Sequence, residues 1–154
     1  MKRFFRVLCK TLCVVFICLF AVTLLHGKDD FTKPKEFGVY VKTEKGLKRL
    51  VPNIVFNEKG VLFVELNNPA RFLLKDVQFF VIYGKYDLTV LTLNPLLFFQ
   101  PSPLGKQRYI LGKAIAFDLK KKSDDLYVVK PKELLGRGYM ALWINDSAWD
   151  FIIE

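Results

Sequence analysis

The sequence predicts an all-β fold, an antiparallel β-sandwich with a Greek-key, immunoglobulin-like tendency, placed after an N-terminal signal or anchor helix. Three observations carry this. Short apolar runs rich in Val, Ile, Leu, Phe and Tyr recur through residues 36–154 and are closed by Gly, Pro or Asn, as a series of short strands would be. No window after residue 36 shows a convincing helical period. The run Phe79-Phe80-Val81-Ile82-Tyr83 is apolar on both faces and needs cover on two sides, which a single sheet layer does not provide.

The first element is an address. Lys2, Arg3 and Arg6 form a basic head, and residues 12–25 are a 14-residue apolar run interrupted only by Thr23. That length suits the apolar core of a secretory signal and falls short of the roughly 20 residues of a membrane-spanning helix. Gly27 supplies a small residue before a cut, although Leu25 stands where Ala or Val is preferred. Residues 1–27 are read as a signal peptide, or alternatively as an uncleaved anchor over residues 7–25 with Lys10 snorkelling. Both readings export the domain to the periplasm, cell envelope or exterior; a buried helix of a cytosolic protein is the least favoured alternative.

Setting this segment aside changes the composition that needs explaining. The whole chain carries a net +9 and is 52% hydrophobic. From Lys28 onward, 20 basic residues face 15 acidic ones, a net +5, and the hydrophobic share falls to 48%, an ordinary globular value. Residues 28–35, charged and carrying Pro34, read as a flexible leader, and residues 36–154 as the sandwich domain.

Within that domain strands are expected at 38–43, 48–51, 53–57, 61–66, 77–83, 88–93, 96–99, 108–119, 126–130, 138–144 and 149–153. They condense into a sandwich of about seven to nine strands. Turn-forming residues place tight reversals at 57–60, 122–125 and 145–148. Ile115, Phe117 and Leu119 alternate with Ala116, Asp118 and Lys120, and Trp149, Phe151 and Ile153 with Asp150 and Glu154; each strand should have one buried and one wet face. Tyr139 follows Leu134-Leu135-Gly136-Arg137-Gly138, and is a candidate tyrosine corner with its hydroxyl bonded back to the turn; the alternative is a core Tyr after a loop.

The segment 127–153, YVVKPKELLGRGYMALWINDSAWDFII, resembles the closing part of a group of uncharacterised exported bacterial β-domains, in which a strand ending in Pro precedes a Gly-Glu-Tyr-Ala-Leu corner and a last aromatic-Asp-Phe strand. Gly138-Tyr139-Met140-Ala141-Leu142 and Trp149-Asp150-Phe151 are the matching positions, and residues 38–50 are similar to the group's opening Gly-Val-Tyr segment. The resemblance implies a β-fold and export, and it brings no catalytic residue with it.

Chemistry is limited by what is missing. Cys9, Cys13, Cys18 and His26 all precede Lys28, and neither residue type occurs after it. That removes Cys/His zinc sites, His-activated nucleophiles and disulfide frameworks from the domain. Asp118, Asp124, Asp125, Asp146 and Asp150 remain as carboxylate pairs for a small hydrolase, with Asp124 and Asp125 also a candidate Ca²⁺ pair; solvated turns are the simpler reading. Lys120, Lys121 and Lys122, with Lys113, Lys130 and Lys132 nearby, suit anionic lipid or glycan, against a lysine-protected sheet edge. Trp143 and Trp149 are weighed as a sugar platform against core packing. Residues 96–104, apolar and running into Pro101 and Pro103, are weighed as an exposed docking patch against a core strand with a rigid turn.

The aromatics lie in core-like runs without basic interleaving, which disfavours nucleic acid. No catalytic, cofactor-binding or metal-binding residue is assigned, and the ligand-binding residues stay open. The expected protein is a non-catalytic exported binding or structural module of the bacterial cell envelope whose partner, another envelope protein, docks through sheet edges or residues 96–104. It touches membrane only through the N-terminal segment if that is uncleaved. A carbohydrate- or lipid-binding domain and a small aspartate hydrolase are the alternatives.

Overall fold

Tight reversals at Asn, Gly and Asp set the local pairing, and the long connections between hairpins set the rest. The computed structural model describes residues 31–66 and 68–154, so the signal or anchor segment and the start of the leader lie outside the described residues. Residues 33–154 form one compact unit. Its strands are β1 (Gly38–Thr43), β2 (Gly46–Arg49), β3 (Asn53–Glu58), β4 (Val61–Glu65), β5 (Ala70–Phe72), β6 (Phe79–Tyr83), β7 (Thr92–Pro101), β8 (Gln107–Leu111), β9 (Phe117–Ser123), β10 (Leu126–Pro131), β11 (Gly138–Ile144) and β12 (Ser147–Ile153). All three expected turns are present. Lys59 and Gly60 take positive φ between β3 and β4, where the Asn57 side chain accepts from the Gly60 N–H at 3.0 Å, and Asn145 takes positive φ between β11 and β12.

The fold is all-β, built from antiparallel sheets packed together. One sheet runs β2-β1-β6-β10-β9. The other runs β11-β7-β8-β4-β3-β12-β5, and a further β11–β12 pairing closes its first six strands into a barrel with β5 appended in parallel. Two cores result. Val39, Val41, Phe80 and Ile82 of the open sheet pack with Met140, Leu142, Trp149 and Phe151 of the barrel wall. Inside the barrel lie Val64, Leu96, Tyr109, Ala141 and Trp143. β11 therefore buries both faces, Met140, Leu142 and Ile144 toward the sheet and Ala141 and Trp143 toward the barrel interior. Central placement of β6, anticipated from its two apolar faces, is observed, with Phe79, Phe80, Val81 and Ile82 all buried.

Several expectations need correction. Twelve strands are found among the described residues, more than seven to nine, because the closed barrel takes six for itself. The 108–119 run is two strands in different sheets. It breaks at Gly112, whose N–H donates to Pro95 O at 2.7 Å and whose carbonyl accepts from the Asn94 side chain at 2.9 Å, so the chain crosses β7 in close contact. Conversely the end of the expected 88–93 strand joins 96–99 in one ten-residue strand, β7, whereas its start is a 3₁₀ turn (Leu88–Val90) that the Asp87 side chain caps through the Thr89 N–H.

β12 lacks a wet face. Asp150 is only 7% exposed, since the strand is a barrel stave whose second face turns inward. The β9 alternation holds at Ile115 and Phe117, which pack on the core, and fails at Leu119, exposed where the edge strand overhangs. Tyr139 is not the corner. Its ring lies 4.8 Å from Tyr109 and its hydroxyl meets that of Tyr109, whereas Tyr40 donates to the Glu36 carbonyl four residues upstream at 2.7 Å. The corner-like bond thus belongs to the start of β1.

Candidate functional site

The residues singled out by sequence scatter across the fold. Trp143 and Trp149 are 6% and 3% exposed, the first inside the barrel with its Nε1 donating to Asn145 O at 2.8 Å, the second edge-on to Tyr86 in the inter-sheet core. Neither offers a platform to a sugar. Lys120, Lys121 and Lys122 lie on β9, the outermost strand of its sheet, where Lys121 pairs with Asp124 at 3.0 Å. Asp118 pairs with Lys132 at 3.1 Å, Asp124 and Asp125 form a hairpin tip, and Asp146 sits in the β11–β12 turn. Asp150 alone of these five is buried. No two of them line a common cleft among those described.

Two surface features stand out instead. The first is apolar and lies on the barrel wall. Registers Leu97↔Ile110, Ile110↔Phe63 and Phe63↔Phe56 align four apolar side chains across β7, β8, β4 and β3. Leu97 is 51% exposed, and Ile54, Phe56, Phe99 and Leu104 are exposed too. A bulge between Phe98 and Gln100 shifts the β7–β8 register, and Phe98, opposite Tyr109 and edge-on to it at 5.8 Å, belongs to the barrel-interior face and not to this wall. Sequence reasoning reached residues 96–104 and missed Ile54 and Phe56. Their signal was present in Asn53-Ile54-Val55-Phe56-Asn57, where apolar residues fall on both faces of the strand.

Arg108 determines the charge of this face. Its guanidinium lies 4.4 Å above the Phe63 ring, with Nε 3.2 Å from Glu65 Oε1 and Nη1 3.0 Å from Glu58 Oε2. Phe56 stacks against the same ring at 5.4 Å, so Phe63 is buried on the outer wall of the barrel. Two carboxylates around one guanidinium leave the centre of the face without free positive charge, and the surface it presents is predominantly apolar.

The second feature is a cleft of about 510 Å³ in the seam of β12. β12 pairs with β3 at Ser147 and Ala148 and with β5 from Phe151 to Ile153, so its middle has no strand on that side. Asp150 falls in this gap beside Asn53, and Lys48, Arg49 and Arg71 line the opening. Burial raises the Asp150 pKa above its ordinary 3.8, opposed by bonds to its own backbone N–H and to the Asn53 side chain. Arg49 pairs with Glu36 and Arg71 with Glu154, both at 2.6 Å and both exposed, while Lys48 stands 5.0 Å over Phe72 and forms no ion pair among the described residues. Nothing in the sequence pointed to these cations, because β5 is three residues long and β2 begins two residues earlier than its apolar run.

Among the described residues no group of three His, Cys, Asp or Glu is placed to hold a metal ion, and no helix is long and apolar enough to cross a membrane. No family model, curated protein or solved structure matches the chain.

Proposed function

We propose that this protein is a non-catalytic binding module of the bacterial cell envelope, exported by its basic and apolar N-terminus, that docks a protein partner through the apolar wall formed by β3, β4, β8 and β7. The observation that carries the reading is the exposure of Leu97 on β7 and of Ile54 and Phe56 on β3, on the same outer face of the β7-β8-β4-β3 wall of a closed barrel. Burying several large side chains in contact with a partner is favourable at about 25 cal/mol per Å² of apolar surface. Backbone pairing does not drive the docking, since barrel closure leaves β3, β4, β7 and β8 flanked on both sides. The absence of Cys and His after Lys28 agrees with a binding role.

A photo-crosslinking residue at position 97 of the full chain, activated in cells that make the protein, should give a discrete adduct in the envelope fraction. Leu97→Asp with Ile54→Asp should weaken capture at least about fivefold without unfolding the chain, as loss of central apolar anchors does. Crosslinking at 97 that is no stronger than at Lys122, on the distant β9 edge, refutes the reading.

A further inference from the structure

We propose that the cleft in the seam of β12 binds an anionic saccharide, its negative group held by Lys48 and Arg71 and a ring hydroxyl held by Asp150. The site is distinct from the apolar wall and goes beyond the docking role. It arises because β12 changes neighbour from β3 to β5, which opens about 510 Å³ in the sheet, a volume that suits a one- or two-ring ligand.

The chemistry follows from the lining. Lys48, Arg49 and Arg71 line the cleft around one carboxyl; with Arg49 and Arg71 paired to Glu36 and Glu154, the cation open to a ligand's negative group is Lys48. The guanidinium pairs with Glu36 and Glu154 are solvent-exposed, and such pairs are weak enough for a ligand anion to exchange with them. Lys48 forms no ion pair among the described residues, and is available to the ligand.

A simple oxyanion does not satisfy the whole site. Asp150, buried in the gap, repels a second anion and accepts from a hydroxyl, and the Asn53 amide already donates to Glu65 O at 2.7 Å and to Asp150. The ligand must therefore carry its charge at the rim and a hydrogen-bond donor further in. Val51 and Pro52 add an apolar wall for the C–H face of a sugar ring.

Calorimetric titration of the full-length chain tests this, with glucuronate, glucose 6-phosphate, glucose and inorganic phosphate as probes. The two anionic sugars separate a carboxylate from a phosphate preference. At least one should bind tighter than both glucose and inorganic phosphate, and Lys48→Ala with Arg71→Ala should weaken it tenfold or more. Asp150→Asn should weaken that sugar severalfold and leave phosphate binding as tight or tighter, since the repelling carboxyl is gone, while Lys121→Ala changes neither. Circular dichroism melts establish that each variant is folded. The proposal is overturned if neither anionic sugar binds, if inorganic phosphate binds as tightly as both, or if the folded double variant binds like the parent.

Discussion

Gly112 and Gly136 make a matched pair on which the same substitution should act with opposite sign. Gly112 ends the barrel strand β8 where the chain leaves for the other sheet, and an added Cβ would stand 2.8 Å from Pro95 Cγ, 3.0 Å from Pro95 O and 3.4 Å from Leu97 Cγ. Carbon contacts are optimal near 3.5–4.0 Å, so Pro95 would have to withdraw by roughly 0.7 Å or more. It is poorly placed to do so. Pro95 is held in register opposite Met140 of β11, and its carbonyl accepts the Gly112 N–H at 2.7 Å. Overpacking of this kind costs about 1–3 kcal/mol, partly offset by the roughly 0.4–1 kcal/mol that Gly→Ala contributes by restricting the unfolded chain. A net loss of about 1–2 kcal/mol lowers Tm by several degrees in a domain of this size. Gly136 has no positive φ and nothing within 4 Å of its added Cβ, so Gly136→Ala should be neutral or stabilising by a few tenths of a kcal/mol. Urea unfolding of both full-length variants measures the contrast. If Gly112→Ala proves as stable as Gly136→Ala, the close crossing of β7 does not exist.

Arg108 offers a second test. Its side chain is 14% exposed, sits over Phe63 and serves two carboxylates, so Arg108→Ala should cost about 2–3 kcal/mol, more than an exposed surface pair would. Arg71→Ala, which breaks the exposed pair with Glu154, should cost under about 1 kcal/mol in the same urea assay, and equal losses would contradict the assignment. Asp150 provides a pH signature. Its raised pKa means the native state holds the proton more tightly than the unfolded state, so this group stabilises at low pH and its contribution is lost as pH rises above 3.8 through the folded value. The wild-type stability should therefore fall relative to Asp150→Asn as pH climbs from about 4 toward 7, and a flat difference between the two denaturation profiles would sink the claim.

Much of the class and the local detail was legible in the chain. Turn residues such as Asn57, Lys59 and Gly60 dictate a reversal through their own backbone preferences, and the two apolar faces of 79–83 demand a central strand whatever surrounds it. The candidate sites were less legible. Residues 96–104 could be proposed as a patch because their composition is local, but the decision between core and surface needed the register that sets Leu97 on the outer barrel wall. Trp143 illustrates the converse, since its burial depends on β11 being a barrel stave.

By itself, then, the sequence determined the all-β class, most strand positions, the tight turns and the lack of Cys and His beyond Lys28. Only the tertiary structure decided that β11 pairs with β12 and β7 to close a barrel, and that the 108–119 run divides between sheets at Gly112. It also decided that β5 joins β12 in parallel, Ala70 opposite Phe151, and so leaves Asp150 buried in a gap ringed by cations. The physical reason is range. Turn and alternation preferences act between residues a few positions apart, whereas closure, register and the seam depend on contacts between strands distant in the chain, whose free energy no local pattern encodes.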